Sequence, residues 1–443
     1  MFQTLKNAWH INDIRKKILY TLFILMIFRL GSSIPVPFIN LAALEEAFVA
    51  YNDTLLGYFN ILSGGALAQA SVFAMSISPY INASIIIQLL TVAIPALERL
   101  AKDGGEVGRK KITQITKYSA IVLALVQGYG FYALIKSQGL VINDDVLSAV
   151  VIVSTFTAGT ALLMWLGDRI TEKGIGNGTS MILFTGIVSS LPMMGMQIYS
   201  LIANTIEKII DPTVGILAVD ILNVVLGVGA IIGFILIIGF VVIMNTAERK
   251  IPVHYAKRVV GRKMMGGQST HLPIKVSSSG VMPIIFASSI VSLPGTLAIF
   301  FGGGEEGSVW GMFVDLMQQT SLFYIVAFFF MIIGFSYFYS AMQFNPIEIA
   351  NNLKKNGGFI PGFRPGKPTT DFITKVLSKV TFIGAMFLGI LATLPLVLGA
   401  IFPQLAGMAL GGTSIVIMVG VALETMRQIE SQMMMKHYKG FLE

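Results

Sequence analysis

Apolar residues along this chain gather into long runs almost free of charge, separated by short polar stretches. Ten runs approach or exceed the length a helix needs to cross bilayer hydrocarbon, about 17–25 residues. They are 18–34, 77–97, 116–135, 146–166, 180–203, 214–244, 276–301, 314–342, 376–398 and 405–423. No series of ten-residue segments alternating apolar and polar, as a membrane β-barrel requires, is present. The pattern therefore predicts an all-α polytopic membrane protein with ten transmembrane helices. One stretch breaks the rhythm. Residues 64–90 carry no charge, but 64–76 is small and weakly hydrophobic whereas 77–97 is rich in Ile and Leu. The first part reads as a stub too short and too polar to span. The run at 18–34 follows Arg15, Lys16 and Lys17 like a signal peptide, yet "RLGSSIPVPF" follows it in place of a small-residue cleavage site. It is expected to be a retained helix.

Composition agrees with this reading: 54% of residues are hydrophobic and 12% charged, and mean hydropathy is +0.77. Soluble domains carry about twice that charged fraction. The absence of cysteine excludes disulfides, thiolate catalysis and Cys-based metal sites. With the N-terminus placed in the cytoplasm, all of the 31 Lys and Arg residues except Arg29, Lys136 and Lys208 fall on the inner side, as the positive-inside rule demands. Acidic residues such as Glu45, Glu46, Asp144, Asp145, Glu305 and Glu306 show no such bias. The net charge of +8 is thus mainly a property of one membrane face, and both termini are expected on that face.

Two inner loops, 245–275 and 345–375, are long and basic. The first has Arg249, Lys250, Lys257, Arg258, Arg262, Lys263 and Lys275 against a single acid, Glu248. The second contains the stiff string "IPGFRPGKP". Topogenic charge and attraction to anionic lipids, about 1 kcal/mol per basic residue near the surface, account for the sign of the charge. A partner-docking role accounts for the length as well.

Candidate chemistry is sparse. There is no phosphate-binding loop and no H-E-x-x-H, and His10, His254, His271 and His437 are scattered. Gly302, Gly304 and Gly307 fit G-x-G-x-x-G, but in an acidic outer loop with no preceding strand, so the match is set aside. "GIGNGTS" at 174–180 reads as a turn entering the fifth span, with Asn177 and Ser180 as caps. No cofactor is expected. A secondary solute transporter is the default for ten spans, but carriers usually place ionisable groups mid-membrane. Only Arg29 and Asp220 qualify here, and Arg29 is expected to satisfy carbonyls near the end of the first helix. The spans offer mild polarity instead: Asn82, Ser84 and Gln88 in the second, and Ser277, Ser278, Ser279, Ser288 and Ser289 in the seventh.

Five stretches carry a resemblance over nearly the whole length: "NILSGGALAQASVFAMSISPYINASIIIQLL", "RITEKGIGNGTS", "YAKRVVGRKMMGGQSTHLPIKVSSSGVMPIIFASSI", "NPIEIANNLKKNGGFIPGFRPGKPT" and "GGTSIVIMVGVALETMRQI". In type and order they resemble the SecY family, the channel subunits of bacterial protein translocation. The resemblance implies two five-helix halves related by inverted pseudo-symmetry, 1–203 and 204–443, around a central pore, although no repeat is visible in the residues. It implies a protein-conducting channel in the bacterial cytoplasmic membrane that catalyses no covalent chemistry.

The resemblance also assigns roles. The stub becomes a plug helix at 60–74, including Asn60, Ser63, Gly64, Gly65, Ala66, Leu67, Ala70 and Ser71, held by small-residue packing without firm anchoring. A pore ring falls on Ile77 and Ile81, Thr179 and Leu183, Ile285, and Ile417 or its neighbour Met418, with Thr179 placing a hydroxyl where the family usually has an aliphatic group. A lateral gate between the second and seventh spans involves Asn82, Ser84, Gln88, Ser288 and Ser289. Arg258, Arg262, Lys263, Lys354, Lys355, Arg364 and Lys367 become a docking surface for the SecA motor ATPase or for the rRNA of a translating ribosome. SecE and SecG are implied as subunits, and signal peptides and nascent chains as clients.

Overall fold

A computed structural model describes residues 2–50, 55–102, 104–210, 218–255, 258–260, 263–265, 269–277, 280–292, 294, 309–318, 321–402 and 406–439. The chain begins with α1 (Phe2–His10), α2 (Asn12–Gly31), α3 (Leu41–Ala50) and α4 (Leu55–Ser63). Next come α5 (Ser78–Ala93), α6 (Pro95–Lys102), α7 (Gly105–Ser137), α8 (Val146–Lys173), α9 (Gly178–Ile210) and α10 (Ala218–Thr246). After a stretch of strands the helices resume as α11 (Met282–Val291), α12 (Val309–Leu316), α13 (Leu322–Gln343), α14 (Pro346–Lys355), α15 (Lys367–Ile401) and α16 (Ala406–Lys439). Six of these, α7, α8, α9, α10, α13 and α15, are long and apolar enough to cross a membrane. The pair α5–α6 makes a seventh candidate, bent by 105°. The bend falls at Ile94, which is extended (φ −106°, ψ 113°) because it precedes Pro95 and the proline ring disfavours helical backbone there.

Every expected span meets a helix, but several boundaries move. The eighth starts at Leu322 rather than 314, because a separate helix, α12, ends at Leu316. Of the seventh, α11 covers only Met282–Val291, and Ser278, Ser279 and 295–301 lie outside the described residues, as do Gly302, Gly304, Glu305, Glu306 and Gly307.

Within the N-terminal set, α5 packs on α7, α7 on α8 and α8 on α9; within the C-terminal set, α11 packs on α13, α13 on α15 and α15 on α16. The two sets meet where α9 lies against α10 and α16, and again where α5 lies against α11. One apolar cluster runs through both, including Ile24, Phe28, Ile77, Leu163, Leu183, Ile285, Phe328, Leu388 and Ile417. The outer faces stay apolar and exposed, as on α10 at Val225, Ile232, Ile235 and Leu236, as lipid contact requires.

The two basic loops are not separate. Strands β1 (Glu248–Tyr255) and β4 (Ser269–Lys275) form an antiparallel pair with Glu248 opposite Lys275. A third strand, β5 (Gly358–Phe359), comes from the other loop and pairs with β1 at His254 and Tyr255, giving the order β4-β1-β5. A hairpin of β2 (Arg258–Val260) and β3 (Lys263–Met265) lies between β1 and β4 in the chain. Ile251, Val253, Ile274, Ile360, Ile373 and Leu377 fill a small core beneath the sheet. Both loops thus belong to one folded unit standing on α10, α11 and α15.

Candidate functional site

Side chains from α5, α9, α11 and α16 converge on one small cavity of about 20 Å³, room for about one water molecule. Its walls are Ile81 and Asn82, Leu183, Ile285, Ser288, Ser289 and Ser292, and Ile417, with Ser78 and Leu62 completing them. Ile77, one turn before Ile81, is fully buried in the surrounding cluster. Between the two candidates on α16, Ile417 lines the cavity and is 1% exposed, whereas Met418 packs at the cluster's edge. Leu62, within the expected plug segment 60–74, reaches the cavity from α4.

Thr179 is not brought to this place. It stands in the first turn of α9, where its hydroxyl donates to Asn177 Oδ1 at 2.7 Å and its N–H to the same oxygen at 3.1 Å. Asn177 is therefore the helix cap, as expected, while Ser180 is buried inside α9. On the other side of Leu183, one turn further along, Ile187 is 1% exposed and packs in the cluster with Ile77, Leu183, Ile285 and Ile417. The aliphatic series on α9 runs through Leu183 and Ile187.

The stub also differs from its expected form. The helix is α4, which ends at Ser63, and 64–77 is a compact series of turns rather than a helix. Gly64 and Gly65 adopt φ of 70° and 87°, and Gly65 N–H reaches back to Asn60 O at 2.8 Å, a glycine-based helix stop. Nor is the stub loosely held. Asn60 Oδ1 accepts from Ala68 N–H and Ser63 Oγ from Leu67 N–H. Val36 N–H donates to Ala70 O and Val72 N–H to Ile34 O, both at 2.9 Å, tying the stub to the chain beyond α2. Ala66, Leu67, Ala70, Ser71, Phe73 and Ala74 are buried. Two helices accommodate it only because they present glycine. A Cβ on Gly159 of α8 would lie 1.9 Å from Val72 O, and one on Gly186 of α9 would lie 2.2 Å from Leu62 O.

Arg29, in the last turn of α2, does not turn back on its own helix. Its Nη1 donates to Gly64 O at 3.0 Å and lies 3.3 Å from Ser189 Oγ on α9.

Three polar side chains at the α5–α11 contact, Ser84, Gln88 and Ser288, bond within their own helices. Gln88 Nε2 donates to Ser84 Oγ at 3.2 Å, and Ser288 Oγ donates to Ile285 O at 2.9 Å. Asn82, Ser288 and Ser289 face the same cavity.

On the basic-loop face, Lys354 and Lys355 close α14, where cations complement the helix dipole. They are exposed, as are Arg364 and Lys367. The turn bearing Arg364 is stiffened by Thr369 Oγ1 donating to Arg364 O at 2.8 Å and by Phe363 stacking on Phe372 with centroids 4.1 Å apart. Arg258 lies on β2 and Lys263 on β3; Arg262 lies outside the described residues. No group of His, Asp or Glu among the described residues is placed to hold a metal ion.

Two helix sets meeting at a nearly closed apolar waist, with a buried segment of turns against it, make a polytopic helical protein built to lie in a membrane. The model of the SecY family matches residues 71–426. The protein translocase subunit SecY of Halalkalibacterium halodurans is 43% identical, with all of both chains covered, and that of Mycobacterium bovis is 42% identical over 97% of each. The chain belongs to the SecY family of protein-conducting channels. Among solved structures, one titled "The structure of a protein conducting channel" shares the fold with TM-score 0.62 at 17% identity, over 95% of this chain and 92% of that one. Sec61 in the canine ribosome–channel complex gives 0.58 at 16%, with the same coverage.

Proposed function

We propose that this chain passes unfolded secretory proteins across the bacterial cytoplasmic membrane and releases transmembrane segments sideways into lipid. The convergence of Ile81, Leu183, Ile285 and Ile417 from four helices on a space of about 20 Å³ carries the reading. Aliphatic side chains around so narrow a waist exclude a continuous water column, so ions are stopped by dewetting. Yet the same side chains swing aside for a polypeptide. With Ile77 and Ile187 they make the ring. Segment 60–74 is the plug, and Leu62 just ahead of its turns closes the waist from one side.

The α5–α11 contact is the lateral gate. Because Ser84, Gln88 and Ser288 bond within their own helices, parting the two helices leaves those groups satisfied. The cost of opening is chiefly lost packing, which an entering apolar helix replaces. The α9–α10 side serves as the hinge between the halves 1–203 and 204–443. The chain itself breaks and makes no covalent bond; energy comes from partners. The folded basic unit of 245–275 and 345–375 faces the cytoplasm with both termini and docks SecA or a translating ribosome through Lys354, Lys355, Arg364 and Lys367, and through Arg258, Arg262 and Lys263. Phosphate contacts of that kind weaken steeply with salt. SecE and SecG complete the complex, and anionic lipids surround the basic face.

The test is Ile81→Asn in the reconstituted complex. Resting ion conductance should rise as the ring wets, while SecA-driven transport of a secretory substrate persists. Conductance equal to wild type would reject the ring.

A further inference from the structure

We infer that Arg29 is the latch that holds the plug shut, a positioning residue that joins the first span, the plug and α9 through one guanidinium. The inference rests on the reading of 60–74 as a plug. Arg29 stands in the last turn of α2 and donates to Gly64 O, the carbonyl just past the end of α4. Carbonyls at a helix end carry partial negative charge, which a cation complements. Ser189 of α9 completes the contact: its Oγ lies 3.3 Å from Arg29 Nη1 and 3.4 Å from Gly64 O, and donates to Gly186 O at 2.8 Å.

The geometry is built for a close approach. A Cβ on Gly64 would fall 2.2 Å from Ser189 Oγ and 2.9 Å from Gly186 O, and its φ of 70° already favours glycine. What the latch opposes is visible in the segment itself. Ala70 is held at φ of 38°, and Ser76, just beyond the segment, at 51°, a region that costs non-glycine residues energy. The buried hydroxyls of Ser71 and Ser76 have no hydrogen-bond partner among the described residues, and such groups regain solvation when exposed. The closed plug is thus both strained and restrained. Arg29 Nη1 makes both contacts, to the carbonyl and to the hydroxyl; a lysine keeps the charge but on a shorter side chain with a different donor geometry.

Resting ion conductance of the reconstituted complex tests this, with size-exclusion profiles reporting intact assembly. Arg29→Gln should raise conductance about 10-fold, as expected for losing one charged hydrogen bond, and Arg29→Lys should fall between Arg29→Gln and wild type. In a channel with 60–74 deleted, Arg29→Gln should add nothing, which a merely structural role of Arg29 would not predict. Where Arg29→Gln disturbs assembly, Ser189→Ala reads the same contact and should give a smaller rise. If the deletion leaks while Arg29→Gln and Ser189→Ala do not, the latch is wrong and the plug stands. If the deletion does not leak, the plug reading fails and takes the latch with it. A further rise from Arg29→Gln on the deleted background would also overturn the latch.

Discussion

Gly159→Ala should act as a wedge under the plug. The added methyl would lie 1.9 Å from Val72 O and 2.9 Å from Val72 C. A C···O contact relaxes at about 3.3 Å, so Val72 or α8 must move by about 1.4 Å. Alanine favours helix over glycine by about 1 kcal/mol, so α8 gains intrinsic stability and the segment of turns is the element that yields. Val72 is tied there by its N–H to Ile34 O, a bond the displacement strains first. Over-packing of this kind costs about 1–3 kcal/mol, which lowers the closed-over-open ratio about 5- to 150-fold. Planar-bilayer conductance of the reconstituted complex without substrate measures it. Gly128→Ala is the control, since its new methyl meets nothing nearer than 3.6 Å. A Gly159→Ala channel as tight as both wild type and Gly128→Ala would refute the reasoning.

Thr179→Ile should leave resting conductance unchanged, because Thr179 caps against Asn177 away from the cavity; a tighter seal in the same bilayer assay would restore it to the ring. Cysteines at Asn82 and Ser288, which line one cavity from α5 and α11, should block insertion of a signal-anchored substrate once bridged by a short bis-maleimide, and insertion continuing at full bridging would move the exit elsewhere. Arg364→Glu should depress SecA-stimulated transport several-fold without loss of assembled complex, and neutralising Lys6 and Lys436 should not; equal losses would point to general lipid attraction.

The apolar runs made the membrane architecture legible, because in hydrocarbon a spanning segment must satisfy its own backbone and its length is set by the bilayer. Motif order pointed to Ile77, Ile81, Leu183, Ile285 and Ile417, which pack in one apolar cluster, but a motif fixes a helix's depth only to within a turn. Thr179 and Ile187 lie one turn either side of Leu183, and of the two it is Ile187 that packs in the apolar cluster. The stub's anchoring is not legible in the sequence for another reason. Its partners, Ile34 and Val36, Gly159, and Gly186, are spread over three parts of the chain, and glycine's role there is an absence of atoms. The sheet was the least legible part. β5 is two residues long, and its pairing with β1 joins positions more than a hundred residues apart.

That sheet has a mechanical consequence. β1 follows α10 after one residue, and β4 ends at Lys275, shortly before α11 begins at Met282. Between them Val276 N–H donates to Ala247 O at 3.0 Å, and a methyl on Gly384 of α15 would lie 2.2 Å from Val276 O. Arg427 of α16 grips Asn245 O at the end of α10. The basic unit is therefore keyed at its base into three helices, α10, α15 and α16. A load applied to that unit would reach all three directly, so a partner bound outside the membrane would act on helices within it.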